Sequence, residues 1–150
     1  MVLWRISRHL ELSGRGGVRL AGRWHHAGSP VVYLAESPAG ALIEVCVHTS
    51  VNDIPPSFTL LKVAAPESTS NFRIDEIDLA ALEPGWPGRV EVTRDLGSEW
   101  LKKGNAALLR VPSALVPETT NYLLNPLHAD SGQFQIATSF IYPFDVRLKK

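Results

Sequence analysis

The sequence predicts a single α+β domain. Short apolar or alternating runs of strand length recur along the chain, two longer segments carry helical spacing with start and stop residues, and no repeat, low-complexity tract or linker separates them. At 150 residues, one domain with a proper core is the simplest organisation.

The elements follow in order. Val2, Trp4 and Ile6 alternate with Leu3, Arg5 and Ser7, so Met1 to Ser7 reads as a strand with Arg5 on the less apolar face. Gly14-Arg15-Gly16-Gly17 is a loop, either a plain flexible turn or a cover for a ligand; its spacing matches no phosphate-binding fingerprint. Val31 to Ala35 is continuously apolar, as a buried strand would be. Ser37-Pro38 starts a helix, serine as N-cap and proline in the first turn, which runs to about Thr49. Leu42, Val45, Cys46 and Thr49 line one mainly apolar face, while Glu44 and His48, four apart, share a neighbouring face.

Pro55-Pro56 enforces a loop. Phe58 to Ala65 and Phe72 to Ile77 are the next strand candidates, and Leu79 to Pro87 reads as a brief helical turn and loop. Thr93 to Lys103 suits a helix capped by Thr93 and ended by Gly104, with Leu96, Trp100 and Leu101 on its apolar side. Ala107 to Val111 is a strand, Tyr122-Leu123-Leu124 a short turn stopped by Asn125-Pro126, and Phe134 to Phe144 a closing strand pair. Trp86, Trp100 and Phe140 belong either to the core or to an interface.

Composition narrows the function. With 15 basic and 15 acidic residues the formal charge is zero, and no basic stripe marks a nucleic-acid binder. The pairs Lys102-Lys103 and Lys149-Lys150 read as solvated surface. A lone cysteine, Cys46, between Val45 and Val47, fits a reducing compartment and a core thiol. No run approaches the length of a membrane span and the N-terminus is unlike a secretory signal, so the expected location is the cytoplasm. The five histidines sit in no metal-ligand spacing, no metal is expected, and His25 and His26 in a strand-like segment would point to opposite sides. There is no GxSxG elbow.

What stands out is polar residues in apolar company. Glu44 lies within ALIEVCVH; it is either paired inside the fold or part of an exposed stripe. Arg23 in GRW is a ligand-binding guanidinium or a surface arginine stacked on Trp24. Tyr33 in VVYLA is a ligand platform or a core tyrosine with one hydrogen bond. Ser113, Asn121, Asn125 and His128 line a pocket or cap turns.

Together these blocks resemble the RES domain family, the toxin half of bacterial toxin–antitoxin pairs. The matching residues are Trp4-Arg5-Ile6, Gly22-Arg23-Trp24, Gly28 with Val32 to Glu36, Ala41 to Glu44 with His48, and Gly97 to Leu101. The last block runs from Val111-Pro112-Ser113 through Val116-Pro117 to Asn121 and His128. The resemblance covers essentially the whole chain, residues 1–150, as one NAD-binding catalytic domain. It implies a fold similar to diphtheria-toxin-type ADP-ribosyltransferases, with small β-sheets and flanking helices and NAD in a cleft between two sheets.

It also implies a growth-arresting enzyme that cleaves the bond between nicotinamide and ribose, NAD being substrate. Water as acceptor gives hydrolysis, phosphate gives phosphorolysis, and a protein side chain gives ADP-ribosylation. A catalytically idle module acting within an antitoxin complex is the reading from another class. On the resemblance, Glu44 stabilises charge on the ribose, Arg23 pairs with the pyrophosphate and Tyr33 stacks on nicotinamide. Ser113 and Asn121 supply neutral hydrogen bonds, and Arg5 and His48 are outer members of the site. Glu36 and Glu99 are nominees for a second carboxylate, each otherwise an ordinary surface residue. The expected partner is an Xre-like helix-turn-helix antitoxin that covers the cleft, with no direct nucleic-acid or membrane contact.

Overall fold

Seven strands carry this computed structural model, which describes residues 1–69 and 71–149; the Lys150 end of the basic tail lies outside them. In chain order they are β1 (Val2–Ile6), β2 (Val32–Ala35), β3 (Ser57–Ala64), β4 (Ile74–Glu76), β5 (Leu108–Pro112), β6 (Thr120–Leu124) and β7 (Gln135–Pro143). The α-helices are α1 (Gly16–Arg19), α2 (Pro38–His48) and α3 (Val90–Lys103). The strands hydrogen-bond in the order β4-β5-β6-β2-β1-β3-β7, and only the β4–β5 pair is parallel.

The α+β class holds, but the strands form one seven-stranded sheet where a pair of small sheets was expected, with a weak join at its middle. On one side, β1 pairs with β3 over five residue pairs and β3 with β7 over eight. On the other, β2 pairs with β6 over four and β6 with β5 over five. Between β1 and β2 the register contains one pair, Trp4 with Ala35. The sheet is therefore two half-sheets fastened at a single point.

Two apolar clusters fill the molecule. One gathers Leu3, Val32, Leu34, Leu61, Val63, Leu108 and Leu124 with Phe72 and Phe134. The other joins Trp24, Val31, Leu109, Val111 and Leu123 to Trp86 and Trp100. Along β2 and β6 successive residues feed alternate clusters, as side chains of a strand must. Trp86 and Trp100 are thus core, while Phe140 is half-buried on β7. Among the described residues no helix is long and apolar enough to cross a membrane.

Most predicted elements stand within a residue or two, and four differ. Tyr122-Leu123-Leu124, expected as a turn, is the heart of β6, a strand hydrogen-bonded on both edges. Its unbroken apolar run is what a strand buried on both faces requires. Phe134 to Phe144 is one long strand rather than a pair, since no turn residue interrupts it and β3 accepts its whole length with a bulge at Lys62/Val63. The glycine loop closes into α1. Helix α3 begins at Val90, three residues before the expected cap.

Thr93 is accordingly inside that helix and fully buried, its hydroxyl donating to the carbonyls of Arg23 (2.6 Å) and Val90 (3.0 Å). The C-terminus of α3 is as expected: Gly104 takes a left-handed conformation and its N–H reaches the Trp100 carbonyl at 3.0 Å. Ser37 caps α2 through the Gly40 N–H at 3.0 Å, with Pro38 in the first turn. Of the α2 side chains only Ala41 is buried; Cys46, expected as a core thiol, is half-buried because the helix lies on the outside of β1 and β2 with Ile43 and Val47 exposed.

The closest backbone approach lies at Gly97 of α3. A Cβ there would fall onto the carbonyl of Trp24, so α3 can lie against the loop before β2 only with glycine at this position. We predict that Gly97→Ala lowers stability by about 2–3 kcal/mol, as overpacking against rigid backbone does. The check is a urea titration in which the midpoint falls at unchanged slope.

Candidate active site

A cleft of about 420 Å³ opens at the join between the half-sheets. β1 contributes Arg5, β2 Tyr33, α2 Glu44 and His48, the loop before β2 Arg23, and β6 Asn121. A second hollow of about 380 Å³ lies beyond α2, walled by residues such as Leu42, Phe58 and Phe140 with no charged side chain. Polar chemistry therefore belongs to the first.

Glu44 is held rather than exposed as a stripe. Its Oε1 accepts from Ser113 Oγ at 2.9 Å and from Asn121 Nδ2 at 2.8 Å. Ser113, itself buried, is oriented by the N–H groups of Leu115 (3.1 Å) and Val116 (3.4 Å), which donate to its Oγ. A hydroxyl that accepts from the backbone has its proton free for the carboxylate, so the charge sits at the end of a directed chain. Each such bond to a charged acceptor contributes on the order of 1.5–3 kcal/mol. Ser113 and Asn121, expected to meet a ligand directly, instead hold Glu44.

Two polar atoms in the cleft are buried without a hydrogen-bond partner: Arg5 Nη1 and Asn121 Oδ1. A buried donor on a guanidinium and a buried acceptor beside a carboxylate are costly unless something supplies their partners. Burial weighs against the charge on Arg5, countered in part by Glu11. Arg23 is anchored by Nη1, which donates to the Pro87 carbonyl at 2.7 Å.

Helix α3 fixes the Arg23 loop in place. Thr93 holds the Arg23 carbonyl, Arg94 Nε holds that of Gly22 at 2.8 Å, and Ser98 Oγ accepts the His26 N–H at 2.9 Å. These residues and Gly97 sit at one face of the helix, as spacings of one, four and five allow. His26 pairs with Asp95 at 2.6 Å on the surface.

Tyr33 presents its ring to the cleft, and its hydroxyl is fully engaged behind it. Trp24 N–H donates to Tyr33 Oη at 3.0 Å, and His25 Nδ1 lies 2.8 Å away. His25 is almost completely buried, with Nε2 3.0 Å from the Gly17 carbonyl and Nδ1 accepting the Gly22 N–H at 3.1 Å. Burial pushes the Tyr33 phenol up and, with Arg94 nearby, the His25 imidazole down, which favours the neutral form of each.

The remaining expectations separate clearly. His48 stands at the exposed rim. Glu36 is outside the cleft, accepting the Thr120 N–H at 3.0 Å, and Glu99 pairs with Lys103 at 3.1 Å on the surface of α3. His128 and Asn125 cap the turn after β6, accepting from Asp130 N–H (3.0 Å) and Leu127 N–H (3.1 Å). His25 was missed: residues 22–28 are loop, not strand, so its inward direction had no period to reveal it. Among the described residues no three His, Cys, Asp or Glu side chains gather as a metal site.

Fold and cleft define an α+β domain with one polar site, two arginines and a clamped carboxylate set between half-sheets. Comparison with known proteins makes the assignment specific. The RES domain profile matches residues 2–145, and the chain belongs to that family. A Pseudomonas putida relative named Toxin Res is 49% identical over 140 residues, covering 91% of this chain and 93% of the relative. A Sphingobium relative named Prs ADP-ribosylating toxin is 35% identical over 144 residues, covering 85% of this chain and 84% of its own. The crystal structure of the Mycobacterium tuberculosis MbcT–MbcA toxin–antitoxin complex contains a chain of the same fold, with a TM-score of 0.73 at 17% identity over 95% of this chain and 84% of that one.

The lowered value at His25 has a stability consequence. Below the ordinary imidazole pKa of about 6.5 the unfolded chain takes up a proton that the folded one refuses, so stability rises with pH there. The contribution is whole above about pH 6.5 and is lost as pH falls toward the lowered folded value. Thermal melts from pH 7.5 to 5 should show a steeper fall in Tm for the wild type than for His25→Gln, which has no imidazole to titrate.

Proposed function

We propose that the whole chain is one catalytic domain of a cytoplasmic toxin that consumes NAD by breaking the bond between nicotinamide and ribose. The observation that carries this reading is the clamped Glu44 in a cleft that also holds Arg5, Arg23 and the Tyr33 ring. In that reaction the electrons of the C–N bond leave with nicotinamide, neutralising its ring and leaving positive charge on the ribose. A carboxylate fixed beforehand needs no reorganisation as that charge develops, which is the arrangement that most lowers such barriers. Ser113 and Asn121 hold one oxygen of Glu44; its role is to face the sugar with the other.

The arginines suit the pyrophosphate. Arg23 keeps further N–H groups beyond the one bound to Pro87, and a planar fork matches phosphate oxygens as lysine cannot. Arg5 supplies a desolvated donor that an anion would satisfy, and Asn121 Oδ1 an acceptor for a sugar hydroxyl. Tyr33 offers an aromatic face to nicotinamide. His48 serves at the rim.

The acceptor is water or phosphate in this reading. A specific observation favours a second one: the Sphingobium relative is named for ADP-ribosylation, so transfer of the ADP-ribosyl group to a cellular protein is the alternative. An idle binding module fits least well, because a desolvated arginine N–H with no partner costs stability that a mere scaffold would not need. The named toxin relatives, and the solved complex of like fold, support growth arrest and restraint by an antitoxin, for which we propose an Xre-like protein covering the cleft.

Purified protein should release nicotinamide from NAD, and Glu44→Gln should cut the rate by roughly 10²–10³-fold. Retention of most activity would sink the role of Glu44. Adding phosphate distinguishes phosphorolysis from hydrolysis, and labelled NAD with cell lysate should mark a discrete protein only if the second reading holds.

A further inference from the structure

The cleft's aromatic wall and its arginine loop meet at a residue to which the chemistry above gives no part. His25 touches neither the cleft nor solvent, yet three different segments converge on its ring: the Gly17 carbonyl, the Gly22 N–H and the Tyr33 hydroxyl. The proton positions follow from the partners. A carbonyl 3.0 Å from Nε2 requires Nε2–H, so Nδ1 is bare, and the Gly22 N–H is shared between Nδ1 and the His25 carbonyl, each at 3.1 Å. Tyr33 Oη already accepts the Trp24 N–H, so its own proton goes to Nδ1. Every polar atom is satisfied in this one arrangement.

We propose that His25 is the positioning residue of the cleft: as the neutral Nε2–H tautomer it ties the Tyr33 ring to the loop bearing Arg23, and a proton on Nδ1 breaks that tie. Gly22 precedes Arg23 and Trp24 follows it, so the two N–H groups around this network belong to the peptide that carries the arginine. Protonated, Nδ1 would set a donor against both the Gly22 N–H and the Tyr33 O–H. The Gly22 N–H then keeps only the His25 carbonyl, and the phenol must turn its proton elsewhere.

The surroundings favour the neutral ring. Arg94 of α3 and His26 of its own loop are the charged and titratable groups that act on His25, both against a second proton, with the Tyr33 phenol from β2 as the other titratable neighbour. The seat is tightly made. A Cβ at Gly17 would stand 2.9 Å from His25 Nε2 and 2.7 Å from the Ser29 carbonyl, and one at Gly22 would strike the Tyr33 hydroxyl. The glycine segment is therefore no slack turn: Gly17, within α1, forms the floor on which the imidazole rests.

The inference rests on the NAD reading for its activity readout, so the test has two arms. In the first, kcat/KM for NAD consumption is followed from pH 8 to 5 in the wild type, His25→Gln and His25→Phe. Glutamine retains a donor and an acceptor but does not titrate. It should keep most activity at pH 7.5 and lose the acidic fall seen in the wild type, while phenylalanine should lose roughly ten- to a hundredfold at every pH, as misplacement of binding groups does. An unchanged acidic fall in His25→Gln, or wild-type activity in His25→Phe, overturns the proposal; if His25→Phe fails to fold, the glutamine profile still decides.

In the second arm, ¹⁵N NMR of the imidazole reads the proton directly. A bare Nδ1 and a protonated Nε2 at pH 7.5 support the proposal, and a protonated Nδ1 overturns it even where NAD is consumed. Absence of NAD turnover in the wild type sinks the proposed function alone, with the proton positions still read by NMR.

Discussion

Everything at the cleft depends on how little joins β1 to β2. One residue pair, Trp4 with Ala35, connects two half-sheets that are otherwise well laddered. Where two neighbouring strands share so little, backbone groups and side chains near the join are released from sheet geometry. Arg5 and Tyr33, from the two strands, can then line one space, and α2 and β6 bring Glu44 and Asn121 to it. A full β1–β2 ladder would leave no room for the site.

The surrounding contacts read as reinforcement of that opening. Helix α3 holds the Arg23 loop through Thr93, Arg94 and Ser98, and packs so closely that Gly97 has no space for a side chain. Glu44 is fixed through Ser113, which is itself fixed by backbone N–H groups. Charged groups in the cleft therefore stand on rigid supports two bonds deep, the arrangement that preorganised sites require. The same layout leaves Arg5 Nη1 and Asn121 Oδ1 without partners in the protein itself.

How much of this was legible varied with the kind of signal. Capping chemistry located α2, because serine and proline act within a few residues of themselves. The strands β1, β3 and β5 showed through local apolar pattern. β6 did not, since an all-apolar triplet between polar residues looks the same as a turn until its two neighbours are known. The cleft residues were found through the family resemblance, which locates side chains but not their partners. That Ser113 and Asn121 serve Glu44 is a contact across 69 and 77 residues of chain, beyond any local pattern. Thr93 misled for a related reason: a threonine near a helix start suggests a cap, whereas here a buried hydroxyl reaches a carbonyl seventy residues away.

Helix α2 carries the carboxylate while burying only Ala41 among its eleven residues. Packing alone therefore leaves a gap in the helix's hold on the domain, which the two hydrogen bonds at Glu44 help to fill. A ligand bridging Glu44 and the opposite wall would close that gap by linkage, raising the helix's stability in proportion to occupancy.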